Sequence, residues 1–174
     1  MMFRRLRLLH KNQRGFTLIE MLMVIAISGI ITAGLALSVM QVFNGNAQSS
    51  SKMLVIRQVQ NAGYFISRDV PMAQSLTLGV SSGFPITMEW TEFGVGGAEH
   101  QIVYSVVGDE IKREHYTNGF LDTTSFVARY IDVTETSCSF DGNVLSVTVT
   151  ASIGGYRPAT ETRTYEIVMR PNNP

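Results

Sequence analysis

Glu20 is the residue with the least ordinary setting in this chain. It sits inside an apolar stretch that begins at Phe16 and continues for twenty residues beyond it, where Met21 to Met40 reads MLMVIAISGIITAGLALSVM without a charge. A carboxylate at bilayer depth costs on the order of a few kcal/mol unless it snorkels or finds a partner, so its default reading is functional. A glutamate at a helix start, favoured by the helix dipole, is the competing explanation. Other candidates are sparser. His10 falls in the basic N-terminal stretch, and His100 and His115 have no Cys or His neighbours at ligand spacing, which suits structural or surface histidines. Asp109, Glu110 and Glu114 cluster around one turn, where a solvated surface accounts for them. Asp141-Gly142-Asn143 resembles part of a calcium loop but lacks further spaced carboxylates and is a turn signal. Cys138 is the single cysteine, so no intrachain disulfide can form, and a buried small apolar role is expected of it. No Gly-x-Ser-x-Gly, His-Glu-x-x-His, P-loop or Gly-x-Gly-x-x-Gly pattern occurs. Gly94-Val95-Gly96-Gly97 lacks the following helix that phosphate binding needs. The sequence therefore points to no enzyme, no catalytic residue, no cofactor and no metal.

The element that must position Glu20 is a long helix. Twenty uncharged residues rise about 30 Å, the thickness of a bilayer's hydrocarbon core. Charge sets the direction. Five of the 14 Lys and Arg residues (Arg4, Arg5, Arg7, Lys11, Arg14) lie in the first 15 positions, where no acid occurs, and no further basic residue follows until Lys52. This bias holds the start in the cytoplasm and sends the rest outward. An ordinary secretory signal would have a shorter apolar core and a better small-residue site than Ala47-Gln48-Ser49.

The sequence Arg14-Gly15-Phe16-Thr17-Leu18-Ile19-Glu20, after basic residues and before the apolar run, resembles the processing site of type IV prepilins. The resemblance is strong from Arg14 to about Met40 and architectural beyond. It implies that a prepilin peptidase cuts between Gly15 and Phe16 and methylates the new amine of Phe16 to N-methylphenylalanine. It further implies that Glu20 pairs with the terminal amine of a neighbouring subunit during assembly. That role agrees with physics, since cleavage would create a cation and a buried acid is stabilised by an opposite charge. The amine lies one turn from Glu20, so pairing within the subunit is the alternative. Two features depart from many family members: the apolar helix has no proline, only Gly29 and Gly34, and one cysteine cannot make a C-terminal disulfide loop.

Behind the apolar run, Phe43 to Ser51 is polar and marks an exit from the bilayer, with Asn44-Gly45-Asn46 the place for a bend. Lys52 to Val70 then recovers helical spacing through Val55, Val59, Ala62 and Ile66, and Pro71 should end the helix at or before Val70. Strand patterns follow. Ile86, Met88 and Trp90 alternate with polar residues; Gln101–Val107 and Glu110–Tyr116 flank a Gly108-Asp109 turn; Phe126–Val133 is apolar on both faces; Leu145 to Ile153 alternates strictly; and Tyr165, Ile167 and Met169 suggest a last strand. The expected fold class is α+β, a pilin fold in which a long N-terminal helix packs on an antiparallel sheet of about five to seven strands. The expected divisions are a basic leader over 1–15, a membrane and assembly helix over 16–42, its amphipathic continuation over 43–71, and a β-rich extracytoplasmic headgroup over 72–174.

This layout is similar to minor pilins and to the J-type and W-type minor pseudopilins of type II secretion. In those families the helix ends around an Arg-Asp pair, here Arg68-Asp69. A Tyr-x-x-x-Gly hairpin follows, here Tyr104 to Gly108, with a basic residue after it at Arg113. The partners implied are the prepilin peptidase, other pilin or pseudopilin subunits, an inner-membrane assembly platform and the lipid bilayer. The location implied is the inner membrane, single-pass with the N-terminus inside, and then the pilus or pseudopilus. From Phe16 onward nine basic residues face 14 acidic ones, a balance that argues against binding nucleic acid through a basic surface. The alternative is a membrane-anchored extracytoplasmic binding domain that never polymerises.

Overall fold

The computed structural model describes residues 15–155 and 157–170. Arg4, Arg5, Arg7, His10, Lys11 and Arg14, the residues expected to form a basic leader, lie outside the described residues. Two compact units divide the chain, Met1–Gly45 and Asn46–Pro174.

A single helix, α1 (Leu18–Asp69), enters both units. The helical assignment runs through Asn44, Gly45 and Asn46, so the polar stretch expected at the bilayer exit is itself helical. In the first unit every residue from Leu18 to Phe43 is exposed, an arrangement that water does not favour for so apolar a surface. Two hydroxyls within the apolar run turn back on the helix: Thr32 Oγ1 donates to the Ser28 carbonyl at 2.8 Å, and Ser38 Oγ to the Gly34 carbonyl at 2.9 Å. Such bonds leave no hydroxyl hydrogen unpaired in an apolar medium. Among the described residues this is the one helix long and apolar enough to cross a membrane.

In the second unit the helix is amphipathic. Val55, Val59, Ala62 and Ile66 are fully buried, as their spacing requires. The α-helix stops at Asp69 and passes into a 3₁₀ turn, Val70–Met72, because Pro71 removes a donor and disfavours helix before it. Among the described residues eight strands follow: β1 (Ser75–Gly79), β2 (Gly83–Thr91), β3 (Glu99–Val107), β4 (Glu110–Thr117), β5 (Phe120–Ala128), β6 (Ser137–Phe140), β7 (Val144–Ile153) and β8 (Ala159–Val168). They form two antiparallel sheets, β1-β2-β3-β4-β5 and β6-β7-β8, where one sheet was expected.

The break falls inside the stretch Phe126–Val133. Its first half belongs to β5, which ends at Ala128; Tyr130 then takes a left-handed φ of 59° and Ile131 bridges to Ala151 of β7. Apolar residues on both faces thus reflected a chain that changes sheets. Most of β5 had no alternating pattern to reveal it, because its edge residues Phe120 to Thr124 are exposed on both sides. What marks β5 is the two-residue turn Asn118-Gly119, both with positive φ, which folds it back on β4.

The core lies where α1 meets these sheets. Tyr165 of β8 lies against Gly63, where any added Cβ would run into its ring, and its hydroxyl donates to the Val59 carbonyl at 3.1 Å. On the other sheet, Asn61 Nδ2 donates to the Val127 carbonyl at 2.7 Å, and the Arg129 amide donates to Gln58 Oε1 at 2.9 Å. Helix side chains thereby take up one carbonyl of the edge strand β5 and the amide just beyond it.

Cys138 is half-buried, not fully buried as expected, and packs against the core near Gly83 with Sγ 3.7 Å from the Ser82 carbonyl. Burial pushes its thiol up to about 12. An ordinary cysteine titrates near 8.5, so at pH 8 the native thiolate should be scarcer by about a hundredfold or more. Iodoacetamide should alkylate Cys138 of the native chain slower by that factor than in urea, with the native rate climbing as pH rises. Equal native and unfolded rates would show that the site is open.

Candidate assembly and processing site

Gly15, Phe16 and Thr17 precede α1 in non-helical backbone. Phe16 is exposed and nothing crowds Gly15, so the bond between them is accessible. The helix begins through Thr17. Its carbonyl accepts the first helical bond from the Met21 amide at 3.2 Å, and its Oγ1 accepts from the Glu20 amide at 3.3 Å. Glu20 answers in the other direction: its Oε2 accepts from the Thr17 amide at 3.0 Å and from Thr17 Oγ1 at 2.9 Å. This is a reciprocal capping box, which satisfies two of the donors that any helix start leaves open. Thr17 was not singled out by sequence reasoning, although Thr-x-x-Glu before an apolar run is the pattern that marks such a box. In the uncut chain the Glu20 carboxylate therefore has partners of its own, one residue from the position where cleavage would create an amine.

The second constellation lies at the other end of α1. Asp69 is only 1% exposed, yet three side chains converge on it. Tyr104 Oη donates to Oδ2 at 2.5 Å, Arg113 Nε donates to the same oxygen at 2.6 Å, and Arg68 Nε donates to Oδ1 at 3.1 Å. Burial, and then the Asp69 charge, raises the Tyr104 hydroxyl far above the usual phenol range. Burial lowers the Arg113 guanidinium, but the bond to Asp69, the Asp69 charge and Tyr104 together outweigh it and leave it raised. Four of the residues named by family resemblance, Arg68, Asp69, Tyr104 and Arg113, thus meet at one buried carboxylate that joins α1 to β3 and β4. Helix alternation and strand register bring them together across 35 and 44 positions of sequence.

The remaining candidates separate. Glu110 pairs with Arg129 at 2.9 Å and Glu114 with Lys112 at 3.0 Å, so each of these two acids has a cation of its own. Asp141 Oδ1 accepts from the amides of Val144 and Asn143, which hold its carboxyl below the usual range and close the turn. Among the described residues no group of three or more His, Cys, Asp or Glu side chains is placed to hold a metal. His100 and His115 look isolated when read along the chain. They come together, Nδ1 to Nε2 at 3.1 Å, because antiparallel pairing of β3 and β4 closes a 15-residue separation that sequence spacing cannot reveal.

Residues 10–36 match the family model of the prokaryotic N-terminal methylation motif. No curated protein and no solved structure matches the chain. The matched segment ends within α1, and the motif together with the long apolar helix fits a single-pass membrane-anchored protein. Methylation motif, long N-terminal helix and antiparallel sheets behind it make this chain a type IV pilin-like protein.

Proposed function

We propose that this chain is a structural subunit, a minor pilin or pseudopilin, cut by prepilin peptidase between Gly15 and Phe16 and methylated on Phe16. It is then assembled through the first part of α1 into a type IV pilus or a type II secretion-like pseudopilus. The observation that carries this reading is the methylation motif at residues 10–36, laid over an accessible Gly15–Phe16 bond and a bare apolar helix with one acid at its start. Before processing, the protein sits in the inner membrane, N-terminus inside and the β-rich domain outside, which the basic residues before Gly15 favour. Lipid covers the exposed apolar side chains until neighbouring subunits replace it. In this scheme Glu20 exchanges its capping partner for the amine of an adjacent Phe16, a charge pair strengthened by the low dielectric around it.

Mass spectrometry of the protein recovered from its native membrane tests the reading. The mature chain should begin at Phe16 and carry one N-methyl group, and Gly15→Leu should leave it uncut. An N-terminus upstream of Phe16 in the native protein would overturn the assignment.

A further inference from the structure

One end of the five-stranded sheet is both apolar and acidic. Along α1, Asp69 meets Arg113, which pairs with Ser125 of β5, while Asn61 meets Val127 and Gln58 meets Arg129. The strand β5 therefore runs antiparallel to α1, and its first residues overshoot the helix end. The β2–β3 loop lies at the same end, because His100 pairs with Thr117 and Thr117 with Phe120. Asn118 of the β4–β5 turn joins the two: its Oδ1 accepts from the Glu99 amide at 2.9 Å, and its own amide donates to the Glu99 carbonyl at 2.7 Å. Phe93 and Val95 stand fully exposed on the loop, and Phe120 and Leu121 are exposed just after the turn. Four large apolar side chains gathered at one end mark a contact surface. Its charges are the exposed Glu92, Glu99 and Asp122, and no Lys or Arg occurs between Arg68 and Lys112 or between Arg113 and Arg129.

The complementary chemistry lies on α1. Between Glu20 and Asp69 the helix has no acid. On the side turned away from Val55, Val59, Ala62 and Ile66, the exposed residues Met53, Arg57, Gln60, Tyr64 and Arg68 recur at steps of four, three, four and four. Arg57, Gln60 and Tyr64 line a shallow groove there. Arg68 is held by Asp69, but Arg57 and the nearby Lys52 have no ion-pair partner among the described residues. The two surfaces cannot meet within one chain, since one lies beyond the helix end and the other faces away from the sheet.

We infer that the acidic, apolar end of one copy docks on the basic outer stripe of α1 in a second copy, displaced along the helix axis. The inference rests on the proposed assembly into a filament and supplies a contact for it outside the membrane. Phe93 and Val95 give the apolar centre, and the charges select which surfaces meet. Because the contact joins two different patches, repeating it extends a filament and closes no symmetric dimer. An anionic lipid surface suits the same end poorly, since every charge on it is negative.

Cells producing two tagged forms test this, one carrying Val95→Cys and the other Gln60→Cys, both with Cys138→Ala. A short bismaleimide should link the two forms to each other, and either form alone should link to itself at no more than about a tenth of that yield. At equal membrane levels, Lys52→Glu with Arg57→Glu in the Gln60→Cys form should cut the yield about tenfold, and so should Glu92→Lys with Glu99→Lys in the Val95→Cys form. The two reversed forms together should recover it, which also shows that both fold. Absence of the linked pair among chains that begin at methylated Phe16 overturns this inference and leaves their assignment as pilin subunits standing. Self-linking as strong as cross-linking, or no recovery in the reversed pair, overturns it as well.

Discussion

Asp69→Ala should be the most damaging single substitution in the extramembrane part of this chain, destabilising it by about 3–5 kcal/mol, the usual result of stripping one partner from a buried ion pair. The magnitude follows from what remains. Arg113 would stay 11% exposed with no carboxylate against it, and the Tyr104 hydroxyl would lose its acceptor in a site closed to water. Arg68 adds little to the loss, because its side chain is 46% exposed and its pairing is screened. Tyr104→Phe should cost less, about 1.5–3 kcal/mol, since Asp69 keeps both arginines. Urea unfolding of the full-length chain in detergent, followed by Trp90 emission at constant pH, measures both. A loss below about 1 kcal/mol for Asp69→Ala would show that the buried cluster contributes little beyond its own desolvation. The cluster sits where α1 gives way to strands, so its loss should free the helix end and the β3–β4 hairpin together.

The second large effect separates two uses of one carboxylate. Glu20→Ala should abolish incorporation into filaments, whereas Thr17→Ala should leave it within a few-fold of wild type. Both variants break the capping box, and the loss of such a cap costs on the order of 1 kcal/mol. Only the first removes the charge proposed to receive the amine of the adjacent subunit. Filaments sheared from cells producing each variant, assayed for the chain against its level in the membrane, give the comparison. Equal defects would assign Glu20 to helix capping alone. Normal incorporation of Glu20→Ala would remove the assembly role and favour an anchored domain that does not polymerise.

Much of this was legible because local rules carried it. The apolar run, its charge-free length and the Gly15-Phe16-Glu20 arrangement needed no folding to be recognised, and the same segment is what the methylation-motif match covers. Val55, Val59, Ala62 and Ile66 were readable for a similar reason: one face of a helix repeats at fixed steps, and burial follows the repeat. The hairpin at Gly108-Asp109 and the alternation along β7 are equally local, although Thr150 on the outward face of β7 is buried, held by Thr136 Oγ1 at 3.1 Å.

Other features depended on pairings between distant segments. The sequence does not contain the division into two sheets, since Tyr130 turns the chain from β5 toward β7 only once Ala151 is there to receive Ile131. Nor does it contain the histidine contact, which strand register makes from residues that look isolated when read in order. By itself the sequence determined which segment is apolar enough to cross a membrane and which face of the later helix is apolar, because each rests on neighbours within a few turns. Only the tertiary structure decided that Asp69, Tyr104 and Arg113 form one buried centre and that His100 and His115 share a bond. Burial and proximity there come from packing the end of α1 against β3 and β4 and from the pairing of those two strands.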